Sequence, residues 1–515
     1  MSAETLIAPA PAAGAPEPGD GAPSLGLRAQ VLSGVIWKIV SQTFRQGSRL
    51  IVALILARLL TPDQFGVAAE VLVVSSLVIV FADLAFGAAL IQRTEISELD
   101  KNTAFWACTV FGLFFTTLGF VSAPWLADFY REPQVEPLFR VLSFIFLTTS
   151  MSTVQESLLN REMSFKVLET RMMIATVGGA AIGITSAAMG GGAWAIILQA
   201  LGLSVFSTLM LWVMSPWRPR FQFSFASLKS MAGFSTYIFG HRLLYYLHRN
   251  SDNLLIGRFV GAAPLGAYAI AYNVILVPFS RVAAPIQDVI FPAFSRIQND
   301  PQRIAIGWIR ITRMVAAITV PSLVGLAIVA NDFVNLVLGS KWHDATTVIQ
   351  VLAWVGILQS LQSLNTGILE ALGHARAIFQ WTILFFVLHI TAFVVGLHWG
   401  IVGVAVGYSI STTILEPSYL LLTSRAVGIS PWRFLEAVAG VFEASAGMGL
   451  VVLGTHYGLV KADVPGALRL LICVVVGGVV FAALAAWRQP EILEEIRELR
   501  DRRKGRAPDP VEAAA

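Results

Sequence analysis

Leu56-Ala57-Arg58-Leu59, followed by Pro62 and Phe65-Gly66, recurs as Ile256-Gly257-Arg258-Phe259, followed by Pro264 and Leu265-Gly266. The two arginines lie 200 residues apart, 58 to 258, and so do the two glycines, 66 to 266. Each copy sits between two apolar runs, so the repeated unit is a bundle of membrane helices. Two like halves in a membrane are the architecture of a carrier that rocks about a central site.

Composition agrees. The chain is 56% hydrophobic and only 13% charged, with a mean hydropathy of +0.71, which is outside the range of soluble proteins. At about 20 apolar residues per span, plus turns, its length accommodates roughly 12 to 14 spans. The apolar runs predict an all-α integral membrane protein of about fourteen helices. Six fall in an N-lobe over 31–214, six in a C-lobe over 230–423, and two more over 435–487. Residues 1–30, rich in Ala, Pro and Gly, read as a disordered cytoplasmic tail and not as a signal peptide. Residues 215–229 read as a cytoplasmic linker between lobes, and 490–515 as a short amphipathic tail.

Basic residues set the expected orientation. With the N-terminus inside, the cytoplasmic side carries Arg93, Lys101, Arg161, Lys166, Arg218, Arg220, Lys229, Arg296, Arg303, Arg376, Arg425 and Arg433. The other side carries little beyond Arg58, Arg131, Arg258, Lys341 and Lys461. Both termini are therefore expected in the cytoplasm. No loop is longer than roughly twenty residues, which leaves no room for a soluble catalytic domain, so the chain does not read as an enzyme. Cys108 and Cys473, both in apolar runs, support neither a disulfide framework nor a CxxC metal site. The seven histidines contain no HExxH pattern. No metal or cofactor is expected, and a net charge of +4 does not call for a nucleic acid.

Chemistry enters with the charges inside the apolar runs, since an ionisable side chain facing lipid costs several kcal/mol. In the first run Lys38, Gln42, Arg45 and Arg49 follow one another at steps of 4, 3 and 4, on one helical face. In the seventh, Arg242, Tyr245, Tyr246, His248, Arg249, Asp252 and Asn253 repeat the stripe, with Arg249 at the equivalent of Arg49 and Arg242 at that of Gln42. The simplest arrangement has the two basic faces meeting across one cavity, with Arg281 in its wall. Such a cavity suits an anion, because guanidinium forks pair bidentately with phosphate oxygens and stay charged. A polyprenyl pyrophosphate headgroup is one such ligand. Asp83, Asp252 and Asp288 are candidates either for ion coupling or for pairing with these arginines. Arg58 and Arg258, at helix ends, are expected to snorkel or to hydrogen-bond backbone. Glu70 and Glu416 are too isolated to assign. Pro278, Pro285 and Pro292, seven residues apart, predict a bend in the eighth helix.

Three blocks carry a resemblance: 56–74 (LARLLTPDQFGVAAEVLVV), 154–171 (VQESLLNREMSFKVLETR) and the stretch 251–300 that opens SDNLLIGRFVGAAPLGAYAIAY. They resemble the polysaccharide transporter family, in particular the Wzx-type oligosaccharide flippases of the multidrug/oligosaccharidyl-lipid/polysaccharide exporter superfamily. The resemblance covers about residues 30–425. It implies two six-helix lobes around a V-shaped cavity, with two extra C-terminal helices. It also implies a flippase of the bacterial inner membrane that moves an undecaprenyl-pyrophosphate-linked oligosaccharide outward for lipopolysaccharide or exopolysaccharide synthesis. Partners implied are the lipid-linked substrate, membrane lipids and a polymerase or export machinery; a monomer is the default. The family has no strict motif for the headgroup site, so Arg45, Arg49, Arg242 and Arg249 rest on the stripe. A lipid II flippase shares the pyrophosphate ligand. A multidrug antiporter shares the fold but takes cations, which an arginine cavity disfavours. A polymerase or glycosyltransferase would need a large loop that is missing.

Overall fold

A computed structural model describes residues 25–82, 90 and 95–489. Of the tail expected over 1–30, residues 1–24 lie outside the described residues, as do the tail at 490–515 and Asp83, whereas 25–30 belong to the first helix. The first half consists of α1 (Leu25–Leu59), α2 (Pro62–Ala82), α3 (Glu98–Tyr130), α4 (Val135–Arg161, in three short pieces), α5 (Phe165–Ala188) and α6 (Trp194–Met214). The second consists of α7 (Phe225–Phe259), α8 (Ala262–Arg296), α9 (Pro301–Ile328), α10 (Asp344–Ala371, interrupted after Gln362), α11 (Ala375–Gly396) and α12 (Gly400–Val427). A hairpin, α13 (Pro431–Lys461) and α14 (Gly466–Arg488), follows them.

Among the described residues, eleven stretches are long and apolar enough to cross a bilayer, and one of them, Arg376–Val427, comprises the α11–α12 pair. Neither α1 nor α7 has such a stretch among its described residues. These two helices carry the polar stripes, as expected of helices that face water or protein in place of acyl chains. Helix ends follow the local chemistry. Ser97 and Asp100 form a reciprocal capping box at the start of α3. Asp300 caps α9 ahead of Pro301, and Ser430 caps α13 ahead of Pro431, with each proline where a missing N–H costs nothing. The eighth helix continues through Pro278, Pro285 and Pro292 without a break.

Each half packs in the same way. α1 lies on α5 and α5 on α6, while α7 lies on α11 and α11 on α12. The halves join mainly where α2 runs along α8, and α7 also lies against α2 and α3. Each half has its own apolar core, and each core includes one residue of the other half. Ala262 is packed with Val67, Val71 and Leu138 of the first core. Ala57 is packed with Ile256, Leu265 and Trp342 of the second.

The segment between the lobes is tied down. The Arg220 N–H donates to Asn102 Oδ1 (2.7 Å), the Trp106 indole to the Arg220 carbonyl (2.8 Å), and the Ser224 N–H to Thr103 Oγ1 (3.1 Å). Helix α7 starts at Phe225, inside the stretch that reads as linker, because Ser224 caps it through the Ser227 N–H. The α13–α14 hairpin packs on α9 through Val329, Met448, Val452 and Cys473. An ion pair pins its turn: Asp332, just after α9, accepts from Arg469 Nε (2.6 Å) and from His456 Nε2 (3.0 Å). The Arg469 guanidinium bonds hold the Asp332 carboxyl below the usual carboxylate range.

Candidate functional site

The duplicated motif forms the seam between lobes. Gly66 of α2 faces the Ala262 carbonyl of α8, and a Cβ on Gly66 would stand 1.7 Å from that oxygen. Its repeat mate Gly266 faces the Pro62 carbonyl of α2, where a Cβ would stand at 2.0 Å. Pro62 and Ala262 are themselves 200 residues apart, so this is one contact made twice about a pseudo-twofold axis. Only glycine allows backbones this close.

The duplicated arginines brace the same end. Arg58 Nε donates to the Val337 carbonyl (2.8 Å), in the short turns after α9. Lys341 Nζ and the Trp342 indole return bonds to the carbonyls of Arg58 and Ala57, each at 2.8 Å. Arg258 reaches the opposite way, its guanidinium 5.4 Å from the Phe129 ring at the end of α3. Both arginines therefore act across the lobes, which snorkelling alone does not predict. The neighbouring Glu70, buried on α2 beside Gly257 of α7, has no hydrogen-bond partner for either carboxyl oxygen among the described residues.

The stripe residues separate. Arg45 pairs with Glu169 of α5 at 3.2 Å, a partner within its own lobe. Arg49, one turn on, is exposed, and Gln42 is half-buried. Arg249 packs over the Tyr272 ring of α8 at 5.7 Å and lines a cavity inside the C-lobe. Asp252 is buried and accepts from the Tyr268 hydroxyl (3.0 Å) and the Asn253 N–H (2.8 Å). Tyr246 donates to the Val73 carbonyl, tying α7 to α2. The side chains of Lys38, Arg242, Tyr245, Arg281 and Asp288 lie outside the described residues.

The C-lobe cavity escaped the sequence reading. It has a volume of about 350 Å³ and lies among α7, α8, α10, α11 and α12. From α11 come Trp381, Phe385 and His389, four residues apart on one face. From α12 come Tyr408, Thr412, Glu416 and Tyr419, also at helical spacing. Gln359, Thr366 and Glu370 of α10 contribute the amide, hydroxyl and carboxyl groups. Cross-helix bonds hold the wall: Gln359 Nε2 to the Tyr408 hydroxyl (2.8 Å), Thr366 to the Tyr419 hydroxyl (3.0 Å), and His389 to Thr412 (3.3 Å). The available signal was this regular spacing of polar and aromatic residues within otherwise apolar runs.

The sequence profile of the polysaccharide biosynthesis protein family matches residues 55–347, more than half of the chain. The chain belongs to that family. Among similar polysaccharide biosynthesis proteins is the lipopolysaccharide biosynthesis protein WzxC of Escherichia coli K12, 29% identical over 417 residues (80% of this chain, 84% of WzxC). The teichuronic acid biosynthesis protein TuaB of Bacillus subtilis 168 is 26% identical over 480 residues (93% and 98%). The succinoglycan biosynthesis transport protein ExoT of Rhizobium meliloti 1021 is 26% identical over 481 residues (93% and 97%). Among solved structures, the lipid II flippase MurJ in an inward closed conformation superposes with a TM-score of 0.70 at 15% identity, covering 90% of this chain and all of that one. An inward-facing multidrug resistance MATE family transporter gives 0.59 at 15% identity, covering 76% and 98%. At these identities the likeness shows the fold alone, and that fold is the all-α membrane architecture expected from the sequence.

Proposed function

We propose that this polysaccharide biosynthesis family member is a flippase. It moves an oligosaccharide repeat unit linked to undecaprenyl pyrophosphate from the cytoplasmic to the periplasmic leaflet of the bacterial inner membrane, for assembly of a lipopolysaccharide or exopolysaccharide. The carrying observation is a pair of repeat-equivalent arginines, Arg49 and Arg249, on the two polar helices of an otherwise apolar, duplicated bundle. Relatives named for lipopolysaccharide, teichuronic acid and succinoglycan biosynthesis support the substrate class.

In this reading both termini are cytoplasmic and the Gly66–Gly266 seam is the periplasmic door, closed here. The headgroup enters between α1 and α7 while the polyprenyl tail stays in lipid. Arg49 and Arg249 offset the cost of taking the diphosphate out of water, aided by Lys38, Gln42, Arg242 and Arg281. Arg45, already paired with Glu169, orders the stripe. The lobes then rock, the seam parts and the unit leaves outward. The chemistry is binding and release, with no bond made or broken.

The test measures lipid-linked oligosaccharide by leaflet in cells lacking the chain and in cells carrying Arg49→Ala with Arg249→Ala. Cytoplasmic-side accumulation and loss of polymer in both strains is the expected result. A double variant that transports normally would remove these arginines from the site. A deletion strain that accumulates nothing would overturn the flippase itself.

A further inference from the structure

We propose that the cavity among α7, α10, α11 and α12 is the sugar-binding pocket of the transporter and holds the one or two glycosyl residues nearest the diphosphate. The proposal rests on the flippase reading and adds to it the place where the glycan is recognised.

Its wall has the chemistry of a carbohydrate site. Trp381, Phe385 and Tyr419 form an aromatic cluster, with Trp381 and Phe385 ring centroids 6.2 and 5.9 Å from Tyr419. Flat rings of this kind cover the C–H face of a pyranose, and polar groups around them take its hydroxyls. Glu416 supplies one such group. It is only 8% exposed, it lines the cavity, and its Oε2 has no hydrogen-bond partner among the described residues. A sealed acceptor inside an apolar bundle is costly unless a donor reaches it, and a sugar hydroxyl is a donor. Nδ1 of His389, 4% exposed, likewise has no partner among the described residues, while Nε2 meets Thr412.

Size and charge narrow the ligand. Small-molecule sites span ~300–1,000 Å³, so about 350 Å³ takes a mono- or disaccharide and leaves the rest of a repeat unit outside. Arg249 lines the same cavity, which places a guanidinium where a diphosphate attached to that first sugar would lie. Two further hollows among the described residues are apolar grooves, one between α11 and α12 and one among α9, α13 and α14, without a comparable polar wall.

The experiment uses the full chain in lipid nanodiscs. The probes are polyprenyl diphosphates carrying glucose, galactose or N-acetylglucosamine, and the same lipid without sugar. The wild type should bind at least one glycosylated probe about tenfold more tightly than the bare lipid, an aromatic contact plus a satisfied carboxyl group. Trp381→Ala and the near-isosteric Glu416→Gln should each remove most of that preference, with bare-lipid affinity unchanged within about twofold, while Trp381→Phe keeps most of it. Equal binding of all four probes by the wild type, or a preference that survives both Trp381→Ala and Glu416→Gln, would overturn the pocket and leave the flippase standing. A wild type that binds none of the four would instead overturn the flippase reading, and the pocket with it.

Discussion

Replacing Gly66 by alanine should open the seam between the lobes. The new Cβ would stand 1.7 Å from the Ala262 carbonyl oxygen, whereas carbon and carbonyl oxygen rest at ~3.3–3.6 Å. Both atoms belong to or sit directly on backbone, so no side chain can turn away and the helices must part by more than an ångström. Overpacking of this kind costs ~1–3 kcal/mol. Alanine also gains about 1 kcal/mol over glycine in a helix, but that gain is equal in the open and closed conformations and cancels from the gating equilibrium. The closed seam therefore loses ~1–3 kcal/mol, and at about 1.4 kcal/mol per factor of ten the open population rises roughly 5- to 150-fold. Gly266→Ala, at 2.0 Å from the Pro62 oxygen, should act alike. The pair should be less than additive because the two contacts share one seam. Spin labels on cysteines at Asp63 and Asn335, exposed on opposite lobes at this end, would report the opening in a background without Cys108 and Cys473. A new, longer distance component is the expected result, together with slowed transport. An unchanged distance distribution with wild-type transport would refute the assignment of this crossing as the door.

Three further outcomes follow from particular contacts. Arg45→Ala should lower thermal stability by leaving the half-buried Glu169 unpaired, and adding Glu169→Gln should restore most of the loss; failure of that rescue would show that the ion pair does not carry the stability. Trp342→Phe keeps the buried ring but removes the indole bond to the Ala57 carbonyl, so melting should shift by an amount worth ~1–3 kcal/mol, readable by scanning fluorimetry. Asp332 is held by Arg469 below its ordinary range, so its contribution is present above the unfolded value of about 3.9 and fades as pH falls through the lower folded value. The melting difference between wild type and Asp332→Asn should therefore shrink as pH falls below about 4.

Much of this was legible from residues alone, each part for its own reason. The fold class follows from long apolar runs, since lipid leaves the backbone no choice but helices or closed barrels. The duplication follows from an offset of 200 that brings arginine onto arginine and glycine onto glycine. The polar faces of α1 and α7 follow from helical spacing. Glu169, in contrast, appears in the sequence as one acid among many, and nothing in its neighbours names Arg45 as its partner. The aromatic and carboxyl face of the C-lobe cavity was visible as spacing on α10, α11 and α12 separately, but three spacings do not say that the faces converge.

Periodicity determined which side of each helix is polar, because that depends only on the 3.6-residue turn and on what the chain can place against lipid. The tertiary structure alone decided what each polar side meets. Rotation and contact of helices far apart in sequence depend on packing between surfaces, so they turned Arg58 from a helix-end residue into a brace on the opposite lobe. For the same reason Gly66 and Gly266, two small residues in a repeated motif, became the point where two backbones touch.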